Sequence, residues 1–71
     1  MDKISIFYLD KEAEREKINS LISLAKNKDI AYTIDLANNR MSVCGFEFPT
    51  MVYRDRMYGY QDSIKWLTNY Q

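Results

Sequence analysis

Polar and apolar positions along the chain change period several times, and each change marks an element. Residues 3–9 (Lys-Ile-Ser-Ile-Phe-Tyr-Leu) carry large apolar groups on both alternating faces, Ile4, Ile6 and Tyr8 on one and Phe7 and Leu9 with Ser5 on the other. A strand covered on both sides reads this way, which predicts the centre of a sheet. Asp10 then supplies an oxygen suited to capping a helix, and Glu12, Glu14 and Glu16 put negative charge where the helix dipole favours it. Ile18, Leu21, Ile22 and Ala25 follow at i, i+3, i+4 and i+7 with Leu24 beside them, and Lys26 and Lys28 suit a C-terminal end. A helix is therefore expected over about 11–28. Residues 30–36 alternate again, with Ile30, Tyr32, Ile34 and Leu36 on one face, and predict a second strand. Strand, helix and strand in this order form a crossover unit with parallel neighbours.

The second half is punctuated differently. Asn38-Asn39 is a turn signal, and residues 40–44 read either as a short returning strand or as a single helical turn. Pro49, the only proline, lacks an amide hydrogen and fits the start of a strand but not its middle, so Thr50 to Tyr53 read as the strand it leads into. Arg54-Asp55-Arg56 make a turn, Met57-Tyr58 a short strand, and Asp62 is placed to cap a last helix over about 63–70 with Ile64, Trp66 and Leu67 buried. A crossover helix with its loops needs a dozen or more residues. Residues 37–47, with a double-Asn turn, a glycine and no amphipathic period, leave room for one turn at most.

Composition narrows the function. Seventy-one residues make one domain, 1–71, whose buried apolar area barely exceeds the entropy lost on folding. A hydrophobic content of 46% is too rich for a disordered tail, while the apolar stretches are too short to span a membrane. Ten basic and ten acidic residues cancel, so neither nucleic acid nor a membrane surface is an expected partner. With no histidine and one cysteine, the common zinc sites are excluded, no disulfide framework can form, and a reducing cytoplasm is the expected compartment. Arg54-Asp55-Arg56 read as a solvated hairpin tip, and Trp66 and the six tyrosines as core and rim packing, because no basic stripe accompanies them.

Phe48-Pro49-Thr50, followed by Gly59-Tyr60-Gln61-Asp62 and by Trp66, resembles the C-terminal half of glutaredoxins within the thioredoxin-fold superfamily. The resemblance also takes in the first strand, first helix and second strand, and leaves residues 37–47 without a counterpart. It implies an α/β fold with a four-stranded mixed sheet ordered second, first, third, fourth strand. It also implies an antiparallel hairpin for the last two strands, both helices on one face, and a cis Pro49. The helix that precedes the cis-proline strand in the family is lost or minimal here. By position, the family's glutathione site falls on Lys11, Phe48, Pro49, Thr50, Gly59, Tyr60 and Asp62, with Tyr58 where the family usually has another glycine.

The redox motif of the family is missing. Glu12 and Arg15 stand about where its two cysteines would be at the helix start, a position that lowers a thiol pKa. The acidic cluster there neutralises the positive helix end, opposed only by Lys11 and Arg15, so glutathione is disfavoured and no cofactor or metal is expected. Cys44 reads as a small hydrophobe at the edge of the core. The expected function is non-enzymatic: a degenerate glutaredoxin scaffold that docks to a partner protein, modulating or inhibiting it, or to a second copy of itself. The alternative is a monothiol or glutathione-linked redox protein using Cys44. Losing a helix should bare one sheet face, with Phe7, Leu9, Met41, Val43 and Phe46 as the interface residues, unless Met41, Val43 and Phe46 fold back and close it.

Overall fold

The computed structural model describes residues 2–43 and 45–71. The chain runs β1 (Lys3–Tyr8), α1 (Arg15–Asn27), β2 (Ala31–Leu36), α2 (Asn39–Ser42), β3 (Thr50–Tyr53), β4 (Arg56–Tyr58) and α3 (Tyr60–Asn69). The strands form one mixed sheet in the order β2-β1-β3-β4. β1 and β2 are parallel, β1 and β3 antiparallel, and β3 and β4 an antiparallel hairpin. The hairpin closes through Arg54 and Asp55 at φ 49° and 65°, the two left-handed residues that a tight two-residue turn requires. The Phe48-Pro49 bond is cis, as the resemblance implies.

The core lies on one side of the sheet. Ile4, Ile6, Leu21, Ala25, Ile30, Met51 and Leu67 form one buried cluster, with Tyr32 and Ile34 packed against it. Register places Ile4 beside Tyr32, and Ile6 beside both Ile34 and Met51, so these residues share the face that α1 and α3 cover. The two helices also pack on each other. Their far ends are tied by Lys28, whose Nζ donates to the Thr68 and Tyr70 carbonyls at 3.2 and 3.0 Å. Ser5, Phe7, Thr33 and Val52 occupy the opposite face and are half-buried.

Two expected helix starts move, each for a local reason, and one open alternative is decided. The helix expected from residue 11 begins at Arg15, because residues 11–14 form a separate turn. Asp10 caps that turn: its Oδ1 accepts from the Glu12 and Ala13 amides at 3.1 and 3.2 Å, while Glu14 Oε2 accepts from the Asp10 amide at 2.8 Å. The last helix begins at residue 60, not 63, and Asp62 does not cap it. The cap is Gly59 in extended backbone, without a side-chain bond, and Asp62 is an exposed residue of the first turn. Buried Ser63 holds the first turn instead, its Oγ donating to the Gly59 carbonyl at 2.7 Å. Of the two readings of residues 40–44, the helical turn holds for the described residues 40–43, and residue 44 lies outside them. Asn38 caps α2 by accepting from the Met41 amide at 2.9 Å, and the helix stops after four residues.

Candidate functional site

The parallel strands β1 and β2 end together, Tyr8 beside Leu36, and β3 begins at the same end, Thr50 beside Phe7. Everything that follows from this register gathers there: the start of α1, the Phe48-Pro49 bond, the Gly59 turn, and both ends of the connection that carries α2. The carboxyl end of strands is where open α/β sheets leave a crevice for ligands.

Two contacts tie the end together. The Tyr60 amide donates to the Glu47 carbonyl at 2.9 Å, which joins the start of α3 to the segment before Pro49. Lys17 on α1 reaches Glu47 Oε2 at 3.2 Å and lies 5.2 Å from the centre of the Tyr60 ring. Gly59 lies against the same segment: a Cβ there would make ordinary contact, 3.4 Å from Phe46 Cδ1 and 3.5 Å from the Glu47 amide nitrogen. Phe48 is half-buried, Pro49 and Thr50 are buried, and Thr50 Oγ1 finds no hydrogen-bond partner among the described residues.

The structure thus brings together Phe48, Pro49, Thr50, Gly59 and Tyr60, with exposed Asp62 in the turn that follows. Lys11 is set apart from them. It lines a groove on the outer, β2 side of α1 with Glu12, Arg15, Ile18, Asn19, Ile22 and Ile34. The cation beside Tyr60 is Lys17, which sequence reasoning passed over. Its i+6 offset from Lys11 is visible in the sequence, but not which side of α1 meets α3.

The electrostatics leave little for an anion. The amides of Leu9 and Asp10 donate to Glu14 at 3.2 and 2.8 Å, and those of Glu12 and Ala13 to Asp10. These four donors ahead of α1 are therefore taken by the chain's own carboxylates. Among the described residues no group of three His, Cys, Asp or Glu could hold a metal ion. Cys44, the thiol of the alternative reading, lies outside the described residues.

Exposed apolar groups mark this end. Among the described residues the exposed large hydrophobics are Leu9, Leu36, Val43 and Phe46, with Val43 at 81%. Leu9 and Leu36 sit at the ends of β1 and β2, and Val43 and Phe46 in the connection between that end and Pro49. Phe7 and Met41, the other two expected interface residues, are half-buried. Val43 does not fold back to close the sheet.

At the opposite end, the Tyr70 and Tyr53 hydroxyls both donate to the Asp2 carboxylate, Tyr53 at 2.8 Å, and Arg54 stands 3.6 Å away. The bond from Tyr70, then that from Tyr53, holds the Asp2 carboxyl below its ordinary range, and the same bonds push both phenols up. Trp66 packs between Tyr53 and Tyr70, with ring centres 4.7 and 5.1 Å away. This cluster is structural, joining the start of β1 to the end of β3 and the tail of α3.

Among the described residues no helix is long and apolar enough to cross a membrane. No protein-family model matches the chain, and comparison with curated proteins and with solved structures finds no significant match.

Proposed function

We propose that the chain is a glutaredoxin-like domain that keeps the scaffold without the redox chemistry and uses the carboxyl end of its sheet to dock another protein. The strand order β2-β1-β3-β4, with two helices on one face and a proline leading into β3, supports the thioredoxin-like reading. The observation that carries the docking function is the gathering of exposed Leu9, Val43 and Phe46 around that end. Exposed apolar groups gathered at one end of a small domain mark an interaction surface where they add up to several hundred Å². In this reading the Lys17, Glu47 and Tyr60 contacts hold the patch in shape, and the carboxylates that fill the start of α1 replace the thiol chemistry.

The test is cross-linked capture from lysate of the native cell with the wild type, Leu9→Glu, Val43→Glu and, as a control on the helical side, Lys65→Glu. A protein retained by the wild type and by Lys65→Glu, and lost from both end variants, supports the proposal. Retention by all four overturns it. So does turnover of a mixed disulfide, above the rate for free cysteine, that disappears in Cys44→Ser.

A further inference from the structure

A second surface lies apart from the docking end. β2 is an edge strand of six residues, Ala-Tyr-Thr-Ile-Asp-Leu, with no proline, glycine or basic residue in it. Natural sheets blunt their edges with such residues or by keeping the edge short. The other edge follows that rule: β4 has three residues, begins at Arg56 and follows the left-handed turn at Arg54 and Asp55.

One hydrogen bond shows which groups of β2 are free. Ala37 donates its amide hydrogen to the Tyr8 carbonyl at 2.8 Å. Backbone groups alternate in direction along a parallel ladder, so the odd-numbered residues of β2 turn toward β1. The amides and carbonyls of Tyr32, Ile34 and Leu36 therefore point outward. Their side chains share the helix side of the sheet, where Leu36 is 63% exposed and Ile34 lines the groove with Ile18 and Ile22.

We infer that this edge pairs with β2 of a second copy of the chain, antiparallel about a two-fold axis through Ile34. In that register Ile34 faces Ile34, and Tyr32 faces Leu36 of the second copy. Each of these pairs joins two outward-pointing residues, and the pairing covers the exposed leucine with an aromatic ring. On the other face Thr33 meets Asp35 of the second copy, so the only charge of the strand lies beside a hydroxyl that can donate to it. Moving the axis to Asp35 would set two carboxylates against each other, which disfavours that slip.

The helix layer fits the same arrangement. Strands lie about 4.8 Å apart and packed helices about 10 Å apart, so each helix covers two strands. α3 packs on β3 and β4, and α1 on β2. A second copy joined at β2 places its α1 roughly 10 Å from the first, which continues both layers. The edge is about 20 Å long, and the molecule is 18 Å through its thinnest dimension. Such a contact is smaller than a stable specific interface and in the range of weak, transient ones, so the dimer should be concentration-dependent.

Sedimentation velocity between about 10 μM and 1 mM, with Thr33→Lys, Thr33→Asp and Val43→Glu beside the wild type, tests this pairing. The wild type should dimerise with rising concentration. Thr33→Lys places an ammonium opposite Asp35 of the other copy on each side of the axis, and should tighten the dimer by roughly 2- to 30-fold. Thr33→Asp opposes like charges and should weaken it by a similar factor, while Val43→Glu leaves it unchanged. Amide exchange at Tyr32, Ile34 and Leu36 should slow as concentration rises, which reports the edge directly. A monomer throughout overturns the inference. A dimer weakened by Thr33→Lys places the axis at Thr33 and overturns the register, and one abolished by Val43→Glu places the contact at the sheet end instead. Neither of the last two results depends on whether a partner protein is captured.

Discussion

Thr50 offers the sharpest test of the packing. It is wholly buried at the start of β3, beside Phe7 in register, and its hydroxyl has no hydrogen-bond partner among the described residues. An unpaired buried hydroxyl costs about 1–3 kcal/mol, because water satisfied it in the unfolded chain and nothing does so in the folded one. Valine has the same branched shape and the same strand preference, so Thr50→Val removes the penalty without leaving a cavity. A gain of about 1–2 kcal/mol is expected. A domain of this length has a total stability of roughly 4–11 kcal/mol, so the gain is a large fraction of it and should raise Tm by about 4–8 °C per kcal/mol. Urea unfolding followed by Trp66 fluorescence and by circular dichroism gives the number, with an unchanged slope showing that only stability moved. Thr50→Ser keeps the hydroxyl and loses a buried methyl, so it should be less stable than the wild type. A Thr50→Val midpoint at or below the wild type refutes the reasoning, since it means that the hydroxyl is satisfied in solution. If valine does stabilise, the hydroxyl beside Pro49 is kept at the expense of stability, which fits a role at the proposed docking end.

The Asp2 carboxyl sits below its usual 3.8 because Tyr70 and then Tyr53 donate to it, so its contribution is present above about pH 4 and is lost as pH falls through the folded value. Urea midpoints at pH 7 and pH 3 should therefore fall further in the wild type than in Asp2→Asn, and parallel falls would sink the assignment. Tyr53 and Tyr70 are raised above 10.0 by the same bonds, so the stability they add is present below pH 10 and fades as pH rises past it. Asp62→Ala removes a charge from the first turn of α3 but no capping bond, so it should cost no more than the 0.3–1 kcal/mol, roughly, of a dipole interaction. A loss of about 2 kcal/mol, the upper end for a cap, would restore Asp62 to that role.

Much of the fold was legible in the sequence because its signals are local. An apolar run on both faces marked β1, alternation marked β2, the i, i+3, i+4 stripe marked the buried face of α1, and Pro49 marked the start of β3. Too few residues between β2 and Pro49 limited the connection to one helical turn, which is what α2 is. Two cap assignments failed because Asp and Glu near a helix start satisfy many geometries. Asp10 serves a turn ahead of α1, and Gly59 with Ser63 begins α3 before Asp62 is reached.

The candidate site depended on register, which sequence period leaves open. That Leu9, Leu36, Val43 and Phe46 are exposed around one end follows from β1 and β2 ending together and β3 starting beside them. Which lysine meets Tyr60 depended on the side of α1 that α3 packs against, so Lys17 stands there and Lys11 faces outward above β2. Thr50 reads as an ordinary strand residue, and only its neighbours in space decide that its hydroxyl is both buried and alone. Periodicity tells each residue which way to point within its own element. Which residues lie opposite one another across elements is set by how the whole chain closes on its core.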